Sequence, residues 1–343
     1  PPWGQWIQTS GTWDFLGKAS GEYRCMGDKL MVRTEKMPEA FTEIVVKRVG
    51  SLKLSGFKFP VKLHIGGIQK DINTPGTRQK VFVLPSQLNA AEYSHLMQGG
   101  LDLKNYGLHD YLDDDTGGPR GQLSVDLGVA QFIIDNAEND NRKGTGINNT
   151  YAMFGENRPI SGMSLRNGYL QVNDLFTDTS SNIFESRLNS MTVMGVRNIP
   201  VRGLIPFNSA YEIKTASKIL NDKKHTVDLI YASAMPLGSY GNKKNTATQR
   251  AANNVLLGQY VASLRIAVER GNCDIYLMPL GGGVFNNDYT DIAYQIVKAC
   301  DIMAPELVEN NINVFVLAWE KKAKEIEIGT LIEKAQDTMY TPV

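Results

Sequence analysis

The stretch Cys273–Asp288, which reads CDIYLMPLGGGVFNND, decides the fold of this 343-residue chain. Its first half, Cys273–Leu280, is an apolar run of the kind that forms a buried strand. Residues 281–283 are all glycine. Asp288 has the side chain of a helix N-cap, and the residues from there to Met303 predict a helix. The stretch therefore predicts a strand, a glycine-rich loop and a helix in direct succession.

The same alternation extends along the last third of the chain. Continuous apolar runs at Val227–Ser233 and Ile312–Trp319 predict two more buried strands. Helices are predicted at Ser209–Leu220 and at Thr246–Arg270, the second of them ended by Gly271. Buried strands that alternate with helices indicate an α/β fold, with a mixed, mostly parallel sheet and helices on both of its faces.

The earlier part of the chain carries weaker signals of the same kind. Strands are predicted at Thr42–Val49, Phe59–Ile65 and Lys80–Leu84. One helical face is formed by Val129, Phe132, Ile133 and Ala137. We therefore predict a single α/β domain over residues 41–343, interrupted by a polar, turn-rich insertion at residues 138–200.

Residues 1–40 differ from the rest and are predicted to form an N-terminal aromatic arm. Trp3, Trp6 and Trp13 lie there among glycine, proline and polar residues with no sustained period. Such an arm either packs on its own domain or makes an assembly contact, because exposed aromatic side chains are strong interface anchors. Self-assembly through the arm is therefore one predicted interaction.

Composition excludes several classes of function. The chain is 42% hydrophobic and 21% charged, which excludes global disorder, and its 36 basic and 36 acidic residues give no general attraction to nucleic acid or anionic membranes. No apolar run approaches the roughly 18 residues of a spanning helix. Cys25, Cys273 and Cys300 are too scattered for a disulfide framework or a metal cluster, and the four histidines lack metal-ligand spacing. We expect a cytoplasmic, reducing location without a signal peptide, and neither metal nor cofactor.

The glycine triplet is the leading candidate for ligand binding. Three glycines remove side chains, so that backbone N–H groups can approach an anion closely, and the following helix N-terminus favours negative charge. Phe285 can wall or stack on a nucleotide ring, and Val284 and Asn286 complete the candidate loop. The alternative is a tight turn that needs a positive φ, for which one glycine would suffice.

Two other loops are candidates for the same ligand. Gly117, Gly118 and Arg120 form a glycine-rich loop with a guanidinium group that can pair with a phosphate, although a purely structural turn fits the same residues. Asn89 and Glu92 follow the strand at residues 80–84 and would project from its end, unless they cap the next turn.

These segments, in this order, resemble the macrodomain, an ADP-ribose-binding module, and in particular macrodomains of the bacterial poly(ADP-ribose) glycohydrolase type. In that group a strand leads into a loop of the form G-C-G-V-F-G-N-D, which is similar to Gly281–Asp288 here. The family's A-x-x-x-G stretch resembles Ala267–Gly271, and its V-I-T-A-P-A-P strand resembles Leu229–Pro236. The likeness covers about residues 225–320 and is looser before them.

The resemblance implies an α/β macrodomain fold and a site for ADP-ribose or a related nucleotide. Gly281–Phe285 would cradle the diphosphate and the distal ribose. Gly117, Gly118 and Arg120 would close over the ligand from the other side, and Asn89 or Glu92 would contact the distal ribose.

Two departures from the family pattern divide the functional hypotheses. Gly67 stands where the family has the aspartate that holds adenine, and Gln122–Asp126 lacks the paired glutamates that supply the catalytic acid. The first hypothesis is therefore a nucleotide-binding protein without that pair. The second is an ADP-ribosyl glycohydrolase that uses Asp126 or Glu92 as its acid, and the third is a structural or assembly subunit on a macrodomain scaffold. A nucleic-acid partner is not expected, because the usual basic and aromatic array is missing.

Overall fold

The computed structural model describes residues 22–26, 29–34, 37–88, 90, 128–129, 132, 160–166, 169–203 and 220–341. The strands in these ranges are β1 (Glu22–Met26), β2 (Lys29–Thr34), β3 (Met37–Arg48), β4 (Val61–Gly66), β5 (Gln79–Pro85), β6 (Met163–Arg166), β7 (Tyr169–Val172), β8 (Thr192–Gly203), β9 (Leu220–Ala232), β10 (Cys273–Leu277) and β11 (Asn313–Trp319). The helices are α1 (Ile68–Asn73), α2 (Asp178–Ser186), α3 (Thr246–Arg270), α4 (Tyr289–Glu309), α5 (Ala323–Ile326) and α6 (Ile328–Tyr340).

Nine strands form one sheet in the order β1-β2-β3-β8-β9-β5-β10-β11-β4. The five strands from β9 to β4 are parallel to one another, whereas β1, β2, β3, β8 and β9 pair antiparallel. The carboxyl ends of the five parallel strands therefore meet at one edge of the sheet. The mixed, mostly parallel sheet predicted from the sequence is confirmed.

Both faces of the sheet are covered, as the central strand β5 shows. Val81 and Val83 point into a core shared with α3 and α4, while Phe82 and Leu84 point into a core shared with α1. All four side chains are 0% exposed. Because side chains alternate between faces along a strand, a continuous apolar run means that helices cover both sides.

The sequence located the elements of the last third closely. Helix α3 has the predicted bounds, since the Asn245 side chain accepts from the Thr248 N–H at 2.9 Å and Gly271 ends the helix with a φ of 68°. Asp288 caps α4 as predicted by accepting from the Thr290 N–H at 2.7 Å. Strand β10 stops at Leu277, three residues earlier than predicted, because the chain turns after that residue.

The main sheet includes segments outside the part that the sequence analysis assigned to it. Strands β1 and β2 lie within residues 1–40, and β8 begins within the predicted insertion 138–200 and runs past its end, yet β8 pairs with β3 and β9 in mid-sheet. Gly195, Asn198 and irregular register hide its strand pattern. Leu220 begins β9 rather than ending a helix, and residues 209–219 lie outside the described ranges, as do Trp3, Trp6 and Trp13.

Within the described ranges, no helix combines the length and the apolar character needed to cross a bilayer.

Candidate functional site

The candidate site lies at the carboxyl edge of the parallel strands, where β5 and β10 are neighbours. The helix that follows β10, α4, covers one face of the sheet. The next described helical residues after β5, Val129 and Phe132, pack on the other face. Neighbouring parallel strands whose connections leave on opposite faces open a crevice between them, and ligands bind there in open α/β sheets.

The glycine loop that follows β10 needs two of its three glycines for its own folding. Gly281 has a φ of 74°, and a Cβ added there would lie 2.5 Å from Nδ2 of Asn287. A Cβ on Gly282 would lie 2.7 Å from the ring of Tyr289. Gly283 differs, because nothing lies within 4 Å of the position that its Cβ would take. The third glycine therefore faces open space.

Three of the seven backbone amides from Gly281 to Asn287 are used inside the loop. Intraloop carbonyl groups accept, at 3.0–3.2 Å, from the N–H groups of Gly282, Asn286 and Asn287. Among the described residues, the N–H groups of Gly281, Gly283 and Val284 make no hydrogen bond. The Val284 side chain is 66% exposed. We call these three N–H groups the bare amides of the glycine loop. Backbone N–H groups without an internal acceptor, at the edge of a sheet, are what an anion site requires.

Asn287 fastens the glycine loop to the loop after β9. Its side chain is 4% exposed, and Nδ2 donates to the Met235 carbonyl at 3.0 Å. The N–H of Leu237 in turn donates to the Phe285 carbonyl at 2.9 Å. Oδ1 of Asn287 is buried and has no hydrogen-bond partner in the described part of the chain. A buried acceptor without a donor is costly, so this atom marks a place where water or a ligand donor would be stabilising.

A small hairpin made of β6 and β7 lies against the same loop. The ring centroids of Tyr169 and Phe285 are 5.1 Å apart with the planes at 89°. The Tyr169 hydroxyl accepts from Nε2 of Gln87, which follows β5, at 3.2 Å. One tyrosine therefore connects the hairpin to the ends of both strands that border the crevice.

Helix α3 supports the ends of β9 and β10 from below with two consecutive residues. Oε1 of Gln259 accepts from the Ser233 N–H at 2.9 Å. The Tyr260 hydroxyl donates to the Met278 carbonyl at 2.7 Å and accepts from the Leu280 N–H at 3.0 Å. Burial raises the pKa of Tyr260, so the phenol stays neutral and keeps both bonds.

The start of α4 is already supplied with negative charge. Asp288 caps it, and Asp291 in the first turn accepts from Nε2 of Gln249 at 3.1 Å. Burial raises the pKa of Asp291, Asp288 raises it further, and nearby Lys244 opposes both. The loop amides are therefore the main donors that this edge offers to an anion, and the contribution of the helix end stays a prediction.

Trp319 ends β11 at the same edge and was not singled out in the sequence. The ammonium groups of Lys321 and Lys322 lie 5.6 and 5.2 Å from the centroid of the Trp319 ring. Oε2 of Glu325 accepts from the Trp319 N–H at 2.8 Å. A flat ring flanked by cations suits a ligand that is aromatic and anionic.

The turn at Gly67 carries a carboxylate although the residue itself has none. The Gly67 N–H donates to Oδ2 of Asp71 at 3.0 Å, and Oδ1 of Asp71 lies 2.9 Å from Nε2 of His64. The carboxylate comes from four residues further along the chain, inside α1. Both oxygens of the Asp71 carboxylate are therefore already hydrogen-bonded within the protein.

Only part of the predicted site lies in the described ranges. The structure places Gly281–Asn286 at the carboxyl edge of β10, as expected. The other predicted site residues lie outside the described residues and stay predictions; they are Asn89, Glu92, Gly117, Gly118, Arg120 and Asp126. Four residues that border the site were not among the predicted site residues, namely Tyr169, Tyr260, Asn287 and Trp319. Of these, only Asn287 had a usable signal, as it lies inside the glycine-rich motif.

No protein-family model matches the chain, and no curated protein matches its sequence. Among solved structures, the chain is similar to poly(ADP-ribose) glycohydrolase from Thermomonospora curvata, with 11% identity, 85% of each chain covered and a TM-score of 0.43. It is also similar to the glycohydrolase from Deinococcus radiodurans solved with ADP-ribose, with 11% identity, 82% and 86% covered and a TM-score of 0.40. A macrodomain from Oceanobacillus iheyensis with MES bound has 11% identity, 80% and 90% covered and a TM-score of 0.33. These are the groups that the sequence resembles, and the similarities bear on the fold alone.

Proposed function

We propose that this protein binds ADP-ribose or a related nucleotide at the carboxyl edge of its parallel strands. The observation that carries the proposal is the glycine loop after β10, in which the amides of Gly281, Gly283 and Val284 have no acceptor in the described part of the chain. Gly283 is open on the side where its Cβ would stand. Backbone amides without an internal acceptor can bind phosphate oxygens without needing a charged side chain.

Aromatic rings at the same edge support a nucleotide over a simple anion. Phe285 is half-buried beside the bare amides, and Trp319 ends the strand adjacent to β10. A nucleoside diphosphate needs donors for its phosphates and flat apolar surface for its base and sugar. Both kinds of surface follow the carboxyl ends of two neighbouring strands here.

The proposed function is ligand binding and does not include hydrolysis of the ligand. Asp126 and Glu92, the acids that a glycohydrolase would use, lie outside the described residues, as do the three tryptophans of the N-terminal arm through which the chain would assemble. The solved structure of the Deinococcus radiodurans glycohydrolase contains ADP-ribose, which makes ADP-ribose the first ligand to test.

Isothermal titration calorimetry with ADP-ribose tests the proposal through a matched pair of variants. Val284 and Val308 are exposed by 66% and 59%; Val284 lies in the loop before α4, and Val308 lies near the end of that helix. A rise of about 1.5 Å per residue places Val308 roughly 28 Å along the helix from its first residue, Tyr289. Val284→Glu adds a negative charge beside the bare amides and should weaken binding about tenfold, because like charges repel at this range. Val308→Glu adds the same charge far away and should leave the affinity unchanged.

Two outcomes of the titration would contradict different parts of the proposal, namely nucleotide binding itself and its location at the glycine loop. Absence of heat with ADP-ribose, NAD and poly(ADP-ribose) at millimolar concentration would contradict nucleotide binding. Equal affinities for wild type, Val284→Glu and Val308→Glu would show that a ligand binds elsewhere than at this loop.

We also propose that the protein works in a reducing, intracellular compartment. Cys273 and Cys300 are free and buried, at 0% and 1% exposure. Burial raises the pKa of both thiols, to about 12 for Cys273, so both behave as small core side chains. Both thiols should stay unmodified by an alkylating reagent in the folded protein and react after unfolding. Rapid labelling of the folded protein would contradict the placement of both thiols in the core.

A further inference from the structure

The β6–β7 hairpin is separate from the main sheet and yet is attached to the candidate site. Its strands, Met163–Arg166 and Tyr169–Val172, pair only with each other among the described strands. A two-stranded hairpin is marginally stable alone in water. What fixes it must therefore be its contacts with the rest of the molecule.

Asn242 is the main attachment of the hairpin. Its side chain is 0% exposed, donates to the carbonyls of Leu170 and Pro236 at 2.9 and 2.7 Å, and accepts from the Val172 N–H at 2.7 Å. Every hydrogen-bonding position of this amide except one lone pair is used, so the hairpin backbone is tied to the loop after β9.

The loop after β9 is also tied to the glycine loop. Asn287 donates to the Met235 carbonyl, and Leu237 donates to the Phe285 carbonyl. The hairpin, the loop after β9 and the glycine loop therefore form one hydrogen-bonded unit. A ligand on the bare amides of the glycine loop would bind beside a fixed hairpin.

Tyr169 completes this unit from the hairpin side. It meets Phe285 in an edge-to-face arrangement, at 5.1 Å and 89°, and its hydroxyl accepts from Gln87. Aromatic pairs at this spacing and angle hold each other's orientation. Phe285 directly follows the exposed Val284, so the direction of its ring decides the shape of the site next to the bare amides.

We propose that the β6–β7 hairpin is a wall of the nucleotide site and that Tyr169 is a positioning residue, which sets the Phe285 ring against the nucleotide. This inference rests on the proposed function. It assigns the hairpin to recognition of the nucleoside or sugar part of the ligand, while the loop amides serve the phosphates.

Two probes separate these parts of the ligand. Inorganic pyrophosphate needs only the loop amides, and ADP-ribose needs the wall as well. NMR titrations that follow the backbone amide resonances of Gly283 and Val284 measure the affinity of each probe, even when binding is weak. In Tyr169→Leu, which fills similar space without a ring, ADP-ribose should bind about tenfold more weakly and pyrophosphate within twofold of wild type. In Tyr169→Phe, which keeps the ring, both probes should bind within about twofold of wild type.

Tyr294→Leu on the exposed side of α4 is the matched control and should change neither affinity. Unchanged ADP-ribose binding in Tyr169→Leu would overturn the inference while leaving the proposed function intact. Parallel loss of both probes would also overturn it, because Tyr169 would then merely hold the loop together. If wild type binds neither probe, the proposed function itself fails.

Discussion

Removing one oxygen atom, in the substitution Tyr260→Phe, should weaken the floor of the candidate site measurably. Tyr260 is 0% exposed and sits on α3 below the end of β10. Its hydroxyl donates to the Met278 carbonyl at 2.7 Å and accepts from the Leu280 N–H at 3.0 Å. Phenylalanine keeps the ring packing and loses both bonds, so the change isolates their contribution.

The expected loss of stability is about 2 kcal/mol. Each net hydrogen bond contributes about 1 kcal/mol, and a buried group left without any partner costs roughly 1–3 kcal/mol. The lower value applies here, because the Leu280 N–H also donates to the Met278 carbonyl at 2.8 Å and neither group is left alone. The two lost bonds therefore sum to about 2 kcal/mol.

Urea unfolding at neutral pH measures this loss as a lower midpoint at an unchanged denaturant slope. Tyr294→Phe, which removes the same oxygen from an exposed tyrosine on α4, is the control and should stay within about 0.5 kcal/mol of wild type. A loss below about 0.5 kcal/mol in Tyr260→Phe would refute the reasoning that this hydroxyl holds the end of β10.

Two further predictions follow from individual contacts. Gly281→Ala should lower the free energy of unfolding by more than about 1 kcal/mol, because the φ of Gly281 is 74° and an added Cβ would collide with its neighbours. Gly283→Ala should leave the free energy of unfolding unchanged, because the position of its Cβ is open. Thermal unfolding compares the two variants, and equal losses of stability would contradict the roles assigned to the two glycines. Burial first, and then Asp274 and Asp71, raise the pKa of Tyr276 to about 12, above its unfolded value of about 10. The neutral phenol thus contributes stability that is fully present below pH 10 and is lost as the pH rises to 12, so Tyr276→Phe should flatten the stability curve over that window, and an unchanged slope would count against it.

The sequence predicted those elements whose signals are local. Helix α3 has its cap residues, Asn245 and Gly271, at its own ends, so both boundaries could be read directly. Strand β5 is a continuous apolar run because helices cover both faces of the sheet, and that run is visible without knowing the neighbours. The sheet type followed from the alternation of such runs with helices.

What the sequence did not predict depends on residues far apart in the chain. Strand β8 belongs in mid-sheet because β3 and β9 pair with it, whereas its own residues include Gly195, Asn198 and a proline, which weaken the strand pattern. Tyr169 matters through Phe285 and Gln87, which lie 116 and 82 residues away along the chain. No periodicity or motif contains such a relation, because it exists only after the fold has placed the β6–β7 hairpin beside the segments that follow β5 and β10.

The glycine triplet shows why a structural turn and a ligand loop were not true alternatives. Gly281 takes a positive φ and Gly282 makes room for Tyr289, so two of the three residues are required by the backbone itself. The turn that they allow leaves the amides of Gly283 and Val284 without acceptors in the described part of the chain, at an edge where a parallel sheet opens. A glycine kept only for the turn would tolerate no Cβ, and Gly283 tolerates one. Packing therefore does not require a glycine at this position, and under the proposed function a ligand would use the missing side chain to approach the backbone closely.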